Sequence, residues 1–324
     1  MASSMSGSQQ TTTSLGIAFG AGAGALWGLV FLAPELVPAF SPLQLAAGRY
    51  LVYGAISALL IAPRWRQLCR KLSRGDWSAL LWLGLAGNTL YYTLLTSAVQ
   101  IGGIAMTSLV IGFLPVAVTI IGSRAAGAVP LGRLMPSLIL CSAGAIMIGL
   151  EALQVPSAAS QQQQLIGLLC AIGALVSWTC FAIGNSRALA RLNDISASDW
   201  NLLTGVVTGA QSLVLIPLAI LAGTVAHDAL AWAQFAGVSI AIAVLASIVG
   251  NAFWNRMSRL LPLTMVGQMI LFETLFALFY GYVWERRWPT LLESAAFAFV
   301  VLSVWTCIGA HQAHARRGRA VAGA

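Results

Sequence analysis

Charge is distributed along this chain like the teeth of a comb. Residues 77–123 contain no Asp, Glu, Lys or Arg, and further charge-free runs cover 134–150, 152–186, 200–227, 229–255 and 294–315. A soluble domain needs charged, solvated groups over its whole surface. A bilayer core excludes them, because a charge at mid-depth costs about 3 kcal/mol even on insertion scales. With 8% of its 324 residues charged and 59% hydrophobic, the chain reads as an all-α polytopic membrane protein without room for a sizeable soluble domain.

A spanning helix takes roughly 20 apolar residues. Ten such segments are expected, at about 15–33, 43–62, 77–99, 102–121, 131–150, 165–184, 200–222, 232–254, 262–283 and 290–310. The formal net charge of +8 follows topology and not nucleic acid: 14 of the 17 basic residues fall in one set of alternate loops and in the C-terminal tail. Only Arg49, Arg286 and Arg287 lie opposite. The positive-inside rule then places both termini in the cytoplasm. Residues 1–14, rich in Ser, Thr and Gln and lacking a basic start, read as a disordered cytoplasmic tail and not a signal peptide. None of the five cysteines falls in an expected outer loop, so no disulfide framework is expected.

The outer loop 151–164 splits the spans five and five, into halves at 15–150 and 165–310 followed by a basic tail at 311–324. Span 3 carries Gly87-Asn88-x-x-Tyr91-Tyr92, and span 8 carries Gly250-Asn251-x-x-Trp254-Asn255 with identical spacing. Span 1 has Gly24-Ala25-Leu26-Trp27, echoed in span 6 by Gly173-Ala174-Leu175 with Trp178 just beyond. Five is odd, so equivalent helices run in opposite directions and the halves form two inverted five-helix repeats.

Ten spans, inverted halves, short 3–4 and 8–9 turns, an Arg early in span 2 and Tyr282-Val283-Trp284-Glu285 after span 9 resemble the drug/metabolite transporter (DMT) superfamily, EamA type. Over about 15–310 the chain most resembles the YddG aromatic amino acid exporters. It departs from the family in having Val129-Pro130-Leu131 where an acidic residue is usual. The resemblance implies export by alternating access about a central cavity.

Asn88, Tyr91 and Tyr92 give span 3 a polar face, read either as a substrate wall or as interhelical hydrogen bonding. Asn251 and Trp254 occupy the equivalent place in span 8, with an aromatic-belt role as the alternative for Trp254. Trp27 and Trp178, with Phe31 and Phe181 as secondary candidates beside them, lie within their spans, lining a cavity or packing against small neighbours. Glu273 breaks the comb in mid-span, and an intramembrane acid is a functional candidate by default. It can bind a substrate ammonium, carry a proton, or remain protonated and hydrogen-bonded to a neighbour. Arg49 reads mainly as structural, snorkelling outward or pairing with Glu35. Gly20, Gly24 and Gly28, like Gly205 and Gly209, form small-residue stripes for close helix contact, and Pro115, Pro136 and Pro217 are candidate kinks. Cys307, His311 and His314 share one helix face, but an ordinary tail is the preferred reading over a metal site.

The chain has no G-x-x-x-x-G-K-[ST] motif, which excludes a P-loop of its own, and no H-E-x-x-H. Phosphorylated substrates would require cavity cations, of which Arg49 is the one candidate. A zwitterion with an apolar or aromatic side chain fits best. The expected function is therefore a secondary exporter of aromatic and other neutral amino acids, not an enzyme. The expected partners are small-molecule substrates and the lipid bilayer, without cofactor, nucleic acid or obligate protein partner. A broad exporter of drugs or cations, proton-coupled through Glu273, is the alternative, and a non-transporting receptor is the outlying one.

Overall fold

The computed structural model describes all residues except 1, 103–106, 108–109, 126–127, 154–160, 223–226, 287 and 323–324. Among the described residues every regular element is helical. In the first half the longer α-helices are α1 (Ala2–Gly28), α2 (Pro42–Ile61), α3 (Arg74–Gly84), α4 (Leu90–Gly102), α5 (Leu114–Gly122) and α6 (Leu131–Leu153), with short helical pieces at Ala33–Leu36 and Trp65–Lys71. In the second they are α7 (Gln161–Arg191), α8 (Ala197–Ala222), α9 (Ala229–Ile242), α10 (Asn251–Leu260), α11 (Leu263–Met269), α12 (Leu271–Glu285) and α13 (Leu291–Ala322). Seven described stretches are long and apolar enough to cross a bilayer: Leu43–Lys71, Leu131–Leu150, Gln161–Arg191, Ala197–Leu221, Ala229–Leu260, Leu263–Trp284 and Leu291–Ala315. The expected spans 1 and 3 fall on α1 and on α3 with α4; much of the first half of the expected span 4 (102–121) lies outside the described residues, and its second half falls on α5.

The helix ends differ from expectation at both termini. α1 is helical from Ala2, through the segment read as a disordered tail, and α13 continues to Ala322. Extending a formed helix costs little per residue, and neither segment contains a proline to stop it. Helix starts are written into the sequence as capping boxes, in which a hydroxyl and a side chain three residues later satisfy each other's amides. They occur at Ser41 with Gln44 and at Ser73 with Asp76, and Thr290 and Glu293 make the same exchange ahead of α13.

Helix pairs hold the fold together. α2 packs along α8 at Gly54 and Gly209, where a Cβ on Gly54 would lie 2.5 Å from the Gly209 Cα. Beside that contact the Tyr53 hydroxyl donates to the Asn201 carbonyl at 2.8 Å and to its side-chain oxygen at 2.7 Å. α6 packs along α13, with Ser137 and Ser303 hydroxyls 3.2 Å apart. Gln268 of α11 joins that network, donating to Thr119 of α5 at 3.3 Å and accepting from Ser303 at 3.0 Å. Pro136 and Pro217 sit inside helices that continue past them, whereas Pro115 begins α5 directly after a break at 112–113.

The basic ends are tied by ion pairs: Arg64 to Asp199 at 2.7 Å, and Arg191 to Asp76. Burial alone would raise the Asp76 pKa, but hydrogen bonds from the Ser73 hydroxyl and amide, with the Arg191 guanidinium, hold it below the usual carboxylate range. A depressed folded-state pKa stabilises fully above the unfolded value and is lost as pH falls through the folded one. Asp76→Asn therefore lowers the thermal midpoint in detergent at neutral pH. The gap to wild type should close as the buffer is taken below the carboxylate range. A gap independent of pH would show that the charge is not what stabilises.

Candidate functional site

Four aromatic residues read separately from the sequence meet where α1, α4, α7 and α10 converge. Trp27 lies 5.0 Å from Trp254 and 6.4 Å from Trp178, centroid to centroid, and Trp178 lies 5.5 Å from Trp254. Tyr91 approaches Trp178 at 6.4 Å, and Phe181 closes the group at 5.9 Å from the same ring. Tilted and edge-on contacts at these distances are the favoured geometries for rings carrying a quadrupole. The Trp27 indole N–H donates to the Ala246 carbonyl and to the Asn251 side-chain oxygen, each at 3.1 Å. Trp254 is 1% exposed, and among the described residues its indole N–H has no acceptor. A buried unpaired donor is costly.

The backbone around the cluster is unusual in the same way twice. Between α3 and α4, Leu85–Thr89 is π-helical, and so is Ala243–Gly250 between α9 and α10. A π turn widens the helix and offers its carbonyls to outside donors. Here Ser177 donates to the Ala86 carbonyl at 2.8 Å, Asn201 to that of Ile248 at 2.9 Å, and Trp27 to that of Ala246. Each π segment also contains a glycine facing an aromatic ring. A Cβ on Gly87 would lie 2.3 Å from the Phe181 ring, and one on Gly250 3.0 Å from the Trp27 indole. These glycines let the rings lie directly on the widened backbone.

Glu273 occupies the first turn of α12, immediately after the interruption at Ile270. α1 packs closely on this break, since a Cβ on Gly24 would lie 2.7 Å from the Glu273 amide nitrogen. Among the described residues its carboxylate has no hydrogen-bond partner; Tyr91 and Arg49 share its electrostatic surroundings. Arg49 lies over the Tyr50 ring at 5.3 Å and donates from Nε to Ser247 at 2.9 Å, which leaves both Nη groups without a described partner.

Two of the sequence candidates stand apart from the cluster. Asn88 donates to the Thr208 hydroxyl of α8 at 3.2 Å, and Tyr92 packs edge-on against Tyr50 at 6.1 Å. Asn255 accepts from Asn185, which in turn accepts from the Trp200 indole, so it joins helices. His311 binds the Thr264 hydroxyl at 2.7 Å and the Cys307 carbonyl at 2.8 Å, so its ring joins helices α11 and α13. The side chains of Phe31 and Glu35 lie outside the described residues. Two further polar residues, neither a candidate from the sequence, act at the second π segment: Asn201 donates to its Ile248 carbonyl, and Ser247 within it accepts from Arg49. The available signal was a stripe of Asn201, Thr204, Thr208 and Ser212 at helical spacing in an otherwise apolar span, all of them buried.

Residues 14–150 match the EamA-like transporter family. The inner membrane protein YtfF of Escherichia coli (strain K12) is 32% identical over 311 residues, covering 89% of this chain and 93% of its own. This chain belongs to the EamA-like transporter family. It is a membrane transporter of the drug/metabolite transporter superfamily and a multi-pass inner-membrane protein. A crystallised protein of 18% identity shares the fold of this EamA transporter, with a TM-score of 0.73 over 92% of the chain and 98% of its own.

Proposed function

We propose that this EamA transporter exports aromatic and other neutral amino acids from the cytoplasm by alternating access. The two inverted five-helix repeats, 15–150 and 165–310, rock about a cavity between them, and both termini are cytoplasmic. Three correspondences support the repeats. Helices of corresponding spans pack on each other: α2 on α8 (spans 2 and 7), α5 on α11 (spans 4 and 9) and α6 on α13 (spans 5 and 10). Both Gly-Asn pairs fall at π-helical segments. Interruptions precede both α5 and α12. Discontinuous helices at the meeting of inverted repeats are where secondary transporters bind substrate.

The observation that carries the substrate reading is the aromatic cluster of Trp27, Tyr91, Trp178 and Trp254 with a carboxylate and a guanidinium in one electrostatic neighbourhood. The rings hold an apolar or aromatic side chain. Glu273 takes the substrate ammonium, the free Nη groups of Arg49 take its carboxylate, and the unpaired Trp254 N–H offers a further donor once the cluster opens. The reading as a drug or cation exporter rests on the same carboxylate beside aromatic faces, which attract cations.

Efflux from preloaded proteoliposomes separates the two. Phenylalanine should leave faster than through protein-free liposomes, and faster than a quaternary cation of similar size, with and without a pH gradient. If the cation moves and phenylalanine does not, the amino acid reading fails.

A further inference from the structure

On the outside of the bundle, between α3, α5 and α7, lies a groove of about 540 Å³. Its walls are apolar, including Trp82, Leu83, Ile121 and Ile183, and it ends at Arg187 and Arg191. Trp82 and Ile121 are large apolar side chains left exposed on the surface of the bundle. Gly184 lets α7 come close to α3: the Trp82 ring lies directly on it, where a Cβ would stand 2.5 Å from the ring. Arg187 and Arg191 are four residues apart on α7 and project from one helix face. Arg191 is paired with Asp76, whereas among the described residues Arg187 has no carboxylate partner. The mouth of the groove thus carries a surplus positive charge above an apolar slot.

We propose that this groove is a binding site for an anionic phospholipid. One acyl chain lies along Trp82 and Ile183, and the phosphate sits at Arg187, with Arg191 as its second cation. An apolar slot capped by guanidinium groups at a membrane surface matches a molecule with a hydrocarbon tail and a phosphate head. A zwitterionic lipid supplies the same tail but cancels the head-group charge. The site is separate from the aromatic cluster, and it needs only that the arginine-bearing helix ends lie at a membrane surface.

Cys180 is exposed on the groove wall and reports its occupancy. The full-length protein, in nanodiscs of phosphatidylethanolamine with or without phosphatidylglycerol, is labelled with a maleimide, and modification at Cys180 is followed by peptide mass. Phosphatidylglycerol should slow labelling roughly fivefold, the attraction expected between one arginine and an anionic lipid. Arg187→Gln, on an exposed side chain, should abolish that protection, and retention of phosphatidylglycerol in native mass spectra should fall with it. Equal labelling in the two lipid mixtures overturns the proposal. So does protection that survives Arg187→Gln, or equal protection by inorganic phosphate alone.

Discussion

Glu273→Gln slows phenylalanine efflux from proteoliposomes about thirtyfold at limiting substrate. The figure corresponds to one charge-assisted hydrogen bond, about 2 kcal/mol. Because the carboxylate has no hydrogen-bond partner among the described residues, the amide breaks no internal contact, and the thermal midpoint should hold. Arg49→Gln supplies the matching half. It should weaken transport of phenylalanine but not of phenethylamine, which lacks the carboxylate, whereas Glu273→Gln should weaken both. Running the assay with and without a pH gradient tests a proton role for the same residue. If the Gln variant responds to the gradient as wild type does, Glu273 does not carry the coupled proton. If its phenylalanine flux is also unchanged, the carboxylate has no place in the substrate path.

Gly54→Val should be the most damaging single change in the fold. Its Cβ would stand 2.5 Å from the Gly209 Cα and 3.2 Å from the Gly205 carbonyl, so backbone meets backbone and no side chain can turn away. α2 and α8 would have to separate, weakening the hydrogen bonds from Tyr53 to Asn201. Overpacking on this scale costs about 3 kcal/mol and lowers the thermal midpoint by roughly 5 °C, with transport lost. Gly237→Ala is the control, since nothing lies within 4 Å of the added methyl group. A Gly54→Val protein as stable as wild type would mean that the two helices are not held in close contact.

The charge comb made the class legible because the bilayer penalises every misplaced charge alike, so the signal accumulates over hundreds of residues. Trp27, Trp178, Asn251 and Trp254 were legible as candidates because large or polar groups inside a span demand a partner. What the sequence could not give was which partner. Asn88 resembles Asn251 in motif, yet it bonds Thr208 on α8 while Asn251 accepts from Trp27. Helical spacing defines a face but not the helix that comes to lie against it. The depth of Arg49 in its span suits snorkelling and so a structural role; its hydrogen bond to Ser247, 198 residues away, turns on long-range packing. The π segments were equally hidden, since a Gly-Asn pair in an apolar run is compatible with an ordinary α-helix.

Those two segments carry a consequence for what the downstream residues face. A π turn acts as one extra residue in an α-helix, so everything beyond it is rotated by about 100° relative to an uninterrupted helix. Tyr91 follows Leu85–Thr89 by two positions, and Trp254 follows Ala243–Gly250 by four. Rewound as a plain α-helix, either segment would swing its ring out of the cluster around Trp178. The aromatic group is therefore a matter of phase as much as of composition: two helices carry the right residues and an added residue's worth of turn that aims them inward.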